Sequence, residues 1–194
     1  MKDFLKRVFL KFITGYRNPQ KYWNRRWELG LKAEEWSGEM LRSYMKMLSD
    51  IMREYGCKSI LEIGCGRAQL RGLSGYLGMD FSMKALRRSG LNEFIFADVT
   101  NHIPLPDGTF DAVFVRYVLL HVLPEQIEKA VSEISRVAKK IVILCEPPYK
   151  VGEAQTSIHS FNHNLREIFQ RHFAGRLVFI DETTELGKIS WKST

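Results

Sequence analysis

The segment Ile60–Gly66, which reads ILEIGCG, constrains the fold of this chain more than any other. Strand-forming apolar residues surround a carboxylate, Glu62, and two glycines follow one residue apart, Gly64 and Gly66. Glycine has no Cβ and can take positive φ, so its backbone can turn sharply and lie against a ligand. The pattern predicts a buried strand that ends in a tight turn, as in α/β proteins that bind nucleotides.

Two later apolar stretches also end in a carboxylate. Residues 76–79 lead into Asp80, and residues 94–97 lead into Asp98. The ligand crevice of an open parallel sheet lies beyond the carboxyl ends of its strands, so both aspartates and Glu62 are expected at one edge. Carboxylates there can accept hydrogen bonds from a ribose diol or an adenine amino group. The three strand ends therefore predict a nucleoside site.

A nicotinamide dehydrogenase is the main alternative for a glycine turn of this kind. Its fingerprint is G-x-G-x-x-G/A. Counted from Gly64, this chain has Gln69 at the last position of that fingerprint. The spacing therefore argues against a dehydrogenase.

The chain resembles the class I S-adenosylmethionine-dependent methyltransferases, especially the small-molecule, type 11 group. The resemblance implies a Rossmann-like, doubly wound α/β fold whose mostly parallel seven-stranded sheet ends in an antiparallel strand. It also implies a single methyltransferase domain over residues 36–194, after a basic, aromatic arm or lid over residues 1–35. The matching stretches, which together span about residues 57–150, are ILEIGCGRAQL (60–70), GMDFSMKAL (78–86), FADVT (96–100), IPLPDGTFDAVFVRYVLLHV (103–122) and IVILCEPPY (141–149).

The resemblance implies S-adenosylmethionine as cofactor and S-adenosylhomocysteine as product. The turn Gly64, Cys65, Gly66 would let the backbone approach the methionine part of the cofactor. Glu62 would lie beneath this turn and orient it or bind the cofactor's ammonium group. Arg116 would follow the fourth strand, where its guanidinium suits a carboxylate of cofactor or substrate.

The nucleoside part of the cofactor has its own predicted contacts. Asp80 would accept hydrogen bonds from both ribose hydroxyls, and Phe81 would pack against the adenine. Asp98 would accept from the adenine amino group. The backbone of Val99 would donate to a ring nitrogen.

His121 is the candidate general base, because an imidazole titrates near neutral pH. His159, His163 and Glu146 are alternatives at other places in the chain. A base matters when the acceptor is a hydroxyl or a protonated amine. The resemblance supplies no fixed catalytic residue and no metal ligands. It therefore leaves the methyl acceptor open.

Hydrophobic periodicity predicts the remaining elements. A long helix is expected over residues 39–55, and a strand over residues 94–99. Few residues separate Gly66 from Asp80, so a helix between them must be very short. The other expected elements are strands at 58–63, 110–115 and 140–146, helices at 82–89, 124–138 and 162–173, and a terminal antiparallel pair at 177–180 and 188–191.

The net charge of +7 is concentrated at the N-terminus. Residues 1–27 hold the whole excess, which argues against a broad nucleic-acid-binding face on the rest of the chain. Residues 4–13 have helical apolar spacing with basic residues opposite. A helix there, within residues 1–15, can lie on an anionic membrane, cover the active site, form a dimer contact or pack on its own domain.

Cysteine use and hydropathy indicate a cytoplasmic protein. Cys57, Cys65 and Cys145 show neither paired nor metal-type spacing, and we expect reduced thiols. No apolar run approaches the roughly 20 residues of a membrane span. Basic residues interrupt the N-terminal apolar stretch, which argues against a cleavable signal peptide.

Three hypotheses remain for the function. The first is a methyltransferase for an oxygen or nitrogen atom of a small molecule or saccharide-type metabolite; residues 188–192 resemble the closing strand of such enzymes. The second is an RNA or protein methyltransferase that holds an acidic partner with the basic arm. The third is a cofactor-fold protein that binds a partner without turnover. In the second, the aromatic residues available to stack on bases are Tyr16, Tyr22, Trp23 and Trp27.

Overall fold

The computed structural model of the chain describes residues 18–30, 36–146, 159–182 and 189–193. These residues contain both helices and strands, as expected for an α/β protein. The helices are α1 (Pro19–Glu28), α2 (Gly38–Glu54), α3 (Met83–Ser89), α4 (Ile127–Val137) and α5 (Leu165–His172). The strands are β1 (Ile60–Ile63), β2 (Tyr76–Asp80), β3 (Phe94–Phe96), β4 (Phe110–Arg116), β5 (Ala138–Cys145), β6 (Arg176–Glu182) and β7 (Ile189–Ser193).

The strands form one sheet in the order β3-β2-β1-β4-β5-β6-β7. Strands β1 to β6 are parallel to their neighbours, and β7 pairs antiparallel with β6. The chain runs outward in one direction from β1 to β3 and then returns to β4 on the other side of β1. This reversal creates a crevice at the carboxyl ends of β1 and β4, where α/β proteins bind ligands. The predicted doubly wound α/β class is confirmed.

Helices cover both faces of the sheet. Along β4, Val113 and Val115 face α4 and α5, whereas Ala112 and Phe114 face α2. Successive side chains of a strand point to opposite faces, so a strand buried on both sides must be apolar throughout. This requirement explains why β4 reads as a continuous apolar run.

The predicted long helix is confirmed as α2. Ser37 caps its N-terminus by accepting a hydrogen bond from the backbone N–H of Met40, 3.1 Å away. Its apolar stripe is buried against the sheet. The buried members of that stripe are Tyr44, Met47, Leu48, Ile51 and Met52.

The third strand is shorter than predicted. It ends at Phe96, whereas residues 94–99 were expected to be extended. The Asp98 side chain accepts from both the backbone N–H and the hydroxyl of Thr100, at 2.9 and 2.7 Å. This local turn competes with the sheet ladder and takes the chain out of it.

The very short helix expected after β1 is wrong. The chain from Gly66 to β2 makes successive turns instead, with Ala68 at φ 49°. Backbone hydrogen bonds of the turn type join Ala68 to Cys65 and Leu73 to Leu70. Leu70 and Leu73 are buried, so the turns still contribute apolar side chains to the core on the α2 side.

Some predictions fall on residues outside the described part of the chain. These are the amphipathic helix over residues 4–13, and with it the membrane contact of residues 1–15, and Lys188 of the terminal pair. Within the described residues, no helix combines the length and apolar character needed to cross a membrane.

Candidate functional site

A cavity of about 600 Å³ lies at the carboxyl ends of β1, β2 and β4, with α1 as one of its walls. A volume of this size suits a small-molecule ligand. The structure places ten of the site residues predicted from the sequence on the cavity wall. These residues are Glu62, Gly64, Cys65, Gly66, Asp80, Phe81, Asp98, Val99, Arg116 and His121.

The glycine turn has the backbone that the sequence predicts. Gly64 and Gly66 have φ of 69° and 52°, in the left-handed region that favours glycine. A Cβ at Gly64 would also come within 2.3 Å of Cγ2 of Val118. Glycine at position 64 is therefore needed for both its conformation and its close approach to the segment after β4.

Asp80 joins the glycine turn to the end of β2. Its two carboxylate oxygens accept from the backbone N–H of Gly66, at 2.9 Å, and of Ser82, at 2.8 Å. Burial raises the pKa of Asp80 to about 6, against the opposing effect of these hydrogen bonds. A carboxylate has about four acceptor positions. Asp80 can therefore hold the turn and still accept from two ligand hydroxyls.

Glu62 is buried beneath the turn. Burial raises its pKa to about 7, while a hydrogen bond from Tyr76 and the charge of Arg116 oppose that rise. The Tyr76 hydroxyl donates to Oε2 of Glu62 over 2.5 Å. Sequence reasoning missed Tyr76, because its contact depends on the parallel register in which Ile60 pairs with Tyr76.

Arg116 is held among aromatic rings at the cavity wall. Its guanidinium carbon lies 4.8 Å from the ring centroid of Trp36, 5.3 Å from that of Tyr44 and 4.6 Å from that of Tyr117. Its Nε also donates to the Tyr44 hydroxyl over 3.3 Å. Stacking on the ring faces keeps the guanidinium edge oriented for an anion.

Glu146 has a structural contact that sequence reasoning did not foresee. Its carboxylate accepts from the backbone N–H groups of Val118, Leu119 and Leu120, at 2.8, 3.0 and 3.3 Å. It thereby caps the short 3-10 helix Leu119–His121 and fixes the segment that packs on the glycine turn. Burial raises its pKa to about 7. Glu146 is not on the cavity wall, so the structure gives it a supporting position.

His121 lies on the cavity wall next to Trp23 of α1, with ring centroids 4.8 Å apart. Its Nδ1 is 2.5 Å from the carbonyl oxygen of His159. A carbonyl can only accept, so Nδ1 carries the proton of the neutral ring and Nε2 carries the lone pair. Burial lowers the pKa of His121 to about 4, so the ring is neutral at neutral pH.

The other two histidine candidates lie off the cavity wall. His163 donates through Nε2 to the carbonyl oxygen of Val122, 2.9 Å away. His159 packs against Tyr22, whose hydroxyl is 3.4 Å from its Nδ1. Both therefore support the wall from behind.

Helix α1 lies within the arm or lid predicted over residues 1–35 and forms one wall of the cavity. Gln20 donates to the carbonyl oxygen of Phe81 over 3.1 Å, and the Ser82 hydroxyl donates to Asn24 over 2.7 Å. Arg88 donates to the carbonyl oxygen of Trp27 over 2.9 Å. These contacts attach α1 to the two residues that follow Asp80 and to α3. Trp23, Arg26 and Trp27 of α1 line the cavity.

The described residues carry no group of three or more His, Cys, Asp or Glu side chains that could hold a metal ion. Cys57, Cys65 and Cys145 are free thiols.

The chain was compared with protein families and with solved structures. Residues 61–145 match a family described as a methyltransferase domain. The fold is similar to that of a SAM-dependent methyltransferase from Archaeoglobus fulgidus, at 20% identity over 78% of this chain and 80% of that one, with a TM-score of 0.51.

Other similar structures are more distant. An S-adenosylmethionine-dependent methyltransferase from Clostridium acetobutylicum matches at 11% identity over 84% of this chain and 57% of that one, with a TM-score of 0.47. The PH0226 protein from Pyrococcus horikoshii matches at 18% identity over 72% of this chain and 57% of that one, with a TM-score of 0.43. This chain spans between 50% and 62% of the length of several such proteins.

Proposed function

We propose that the protein is a class I S-adenosylmethionine-dependent methyltransferase that transfers a methyl group to an oxygen or nitrogen atom of a small molecule, since residues 61–145 match a methyltransferase domain family. The observation that carries this proposal is the cavity where Glu62, Asp80 and Asp98 meet at the carboxyl edge of the sheet. Three carboxylates around a cavity of about 600 Å³ suit a ligand that combines a ribose, an adenine and an ammonium group.

The residues present fit this cofactor. The open positive-φ turn at Gly64 and Gly66 lets the methionine part lie against the backbone, with Glu62 buried beneath it. Asp80 retains acceptor positions for both ribose hydroxyls after binding Gly66 and Ser82. Asp98 lies on the wall where the adenine amino group would bind.

The protein's contribution to the reaction is alignment and exclusion of water. When bound, the cofactor supplies a methyl carbon whose bond to sulfur breaks, with its electron pair staying on sulfur, as the acceptor atom bonds to the carbon. Trp23 and Trp27 of α1 and Val118 enclose the cavity with apolar surface. The hydrogen bonds that join α1 with Phe81 and Ser82 hold this enclosing wall next to Asp80.

We propose His121 as the group that takes the acceptor's proton. Its Nδ1 donates a hydrogen bond to the carbonyl oxygen of His159, so the neutral ring has its lone pair on Nε2, which can accept a proton. Because its pKa is lowered to about 4, the ring is deprotonated and able to accept at neutral pH.

Replacing His121 by alanine should leave the affinity for S-adenosylhomocysteine within about twofold and lower kcat roughly a hundredfold, because general base catalysis is typically worth about that much. Calorimetry measures the affinity, and transfer of labelled methyl to the acceptor fraction measures kcat. His102→Ala is the matched control, since that side chain is 70% exposed and pairs with Glu133. Unchanged turnover in the His121 variant would exclude an essential base there.

Burial of Tyr22 and Trp27 favours a small-molecule acceptor over RNA; Tyr16, also predicted to stack on bases, lies outside the described residues. Tyr22 and Trp27 are only 5% and 7% exposed, so their rings are not available to stack on bases. Trp23 is half-buried against the ring of His121. The described part of the basic arm therefore forms cavity wall more readily than a nucleic-acid surface.

Labelled methyl transfer into fractionated cell extract tests the proposed function directly. The protein is incubated with S-adenosylmethionine labelled in the methyl group and with separate small-molecule, RNA and protein fractions. We expect label in the small-molecule fraction, and less of it with Asp80→Ala at the same subsaturating cofactor concentration. Label in RNA or protein would overturn the acceptor class. Absence of cofactor binding by calorimetry would support the non-catalytic alternative.

A further inference from the structure

Arg26 is a cation on the cavity wall that has no part in the proposed binding of the cofactor. Arg116 lies near Glu62, whose pKa its charge lowers, and therefore belongs to the methionine end. Arg26 comes from α1 and lines the same cavity from the side of His121. Three arginines of the described part of the chain line the cavity: Arg116 at the methionine end, Arg67 directly after Gly66 of the glycine turn, and Arg26 on the side of His121. Arg26 and Arg116 thus serve different parts of the cavity.

The guanidinium of Arg26 makes cation–π contacts with two aromatic rings of its own helix. Its central carbon lies 5.0 Å from the ring centroid of Trp23 and 5.9 Å from that of Tyr22. Among the residues that the structure describes, no carboxylate lies within ion-pair distance of it. The adjacent Arg25, by contrast, pairs with Glu28 at 2.8 Å.

A cation–π contact does not use the five N–H donors of a guanidinium as hydrogen bonds do, so these donors can still bind a ligand. The groups next to Arg26 do not neutralise it. Burial lowers the pKa of both His121 and His159 to about 4, and the charge of Arg26 lowers these pKa values further. This side of the cavity therefore carries a positive charge beside neutral rings.

The cofactor carries a net positive charge and therefore favours the acidic side of the cavity over the side of Arg26. Its sulfonium and ammonium groups outnumber its single carboxylate, so it favours the side of the cavity with Glu62, Asp80 and Asp98. In the proposed site, Arg116, near Glu62, binds the cofactor's carboxylate. Arg26 is then left for the second substrate.

We propose that the methyl acceptor is an anionic small molecule, whose carboxylate or phosphate binds the guanidinium edge of Arg26 while its apolar part packs against Trp23 and His121. This inference rests on the proposed methyltransferase function and adds the class of acceptor. A carboxylate or phosphate matches the planar, forked donor set of arginine. Anchoring the acceptor there places it beside His121, the group proposed to take its proton.

The test uses full-length protein saturated with S-adenosylhomocysteine, so that no transfer occurs. Benzoate, phenyl phosphate and the neutral benzamide are titrated in turn and followed by NMR. We expect saturable binding of at least one anion, and at least tenfold weaker binding of benzamide. The stronger of the two anions distinguishes a carboxylate from a phosphate acceptor.

Arg26→Gln should weaken binding of that anion at least tenfold, because it removes a charged donor from the site. Arg25→Gln is the matched control, one residue away on the same helix and off the cavity wall, and should bind within twofold of wild type. Arg26→Lys keeps the positive charge but lacks the forked N–H donors of arginine. It should bind the anion more weakly than wild type and more tightly than Arg26→Gln. It also serves if the glutamine variant does not fold.

Two failures are distinguishable. If wild-type protein does not bind S-adenosylhomocysteine, the proposed function fails and the inference fails with it. If it does bind but holds the anions no better than benzamide, or if both Arg26 variants bind the anions as wild type does, only the inference is overturned.

Discussion

Replacing Asp80 by alanine should weaken the binding of S-adenosylmethionine roughly tenfold to a hundredfold. The change removes charge-assisted hydrogen bonds to the ribose, which are worth about 1.5–3 kcal/mol. It also leaves the backbone N–H groups of Gly66 and Ser82 without their acceptor, so the glycine turn loses its attachment to β2. Calorimetric titration with S-adenosylhomocysteine measures the loss.

Two controls separate this effect from a general loss of structure. Asp107→Ala changes a surface aspartate whose side chain is 82% exposed, and should leave the affinity unchanged. The wild-type affinity should itself fall below about pH 6, because the pKa of Asp80 is raised to about 6 and the protonated carboxyl is a poorer acceptor. Unchanged affinity in Asp80→Ala would mean that the cofactor binds elsewhere.

Replacing Gly64 by alanine should destabilise the protein by about 2–4 kcal/mol and abolish cofactor binding. The new Cβ would meet Cγ2 of Val118 at 2.3 Å. Valine is branched at Cβ and has restricted rotamers, so its side chain cannot easily swing away. Glu146 also fixes the backbone of Val118, so the turn itself must move. Urea denaturation measures the change in the free energy of unfolding.

Gly90→Ala is the matched control for this prediction. Gly90 has φ of 72°, close to that of Gly64, but a Cβ there would meet nothing within 4 Å. Its substitution should cost about 1–2 kcal/mol, which is the penalty of the left-handed conformation alone. Equal losses in the two variants would show that the contact with Val118 contributes nothing.

The elements that could be predicted are those whose pattern of apolar residues is visible in the local sequence. Strand β4 is buried on both faces, so its sequence is a continuous apolar run. Helix α2 is buried on one face, so its apolar residues form a stripe. The end of β3 was misjudged because Asp98 bonds to Thr100, a local competition that apolar spacing does not reveal. The absent helix after β1 depends on the positive φ of Ala68, a conformation uncommon for alanine.

Some residues of the candidate site could likewise be predicted from local sequence, and others could not. Asp80 and Glu62 could be placed because parallel strands bring their ends to one edge of the sheet. The roles of Tyr76 and Glu146 could not be predicted, because their partners are distant in sequence and are set by packing. The docking of α1 depends likewise on contacts with residues about 60 positions away, such as that between Gln20 and Phe81.

The position of α1 has a consequence for how specificity can diverge. In the proposed site, the strand ends hold the cofactor, and Trp23 and Arg26 of a ten-residue helix face the acceptor. The donor of the methyl group and its destination are thus chosen by separate stretches of chain. Substitutions within that one helix could redirect the enzyme to a new metabolite while the sheet and its methyl-donor chemistry stay the same.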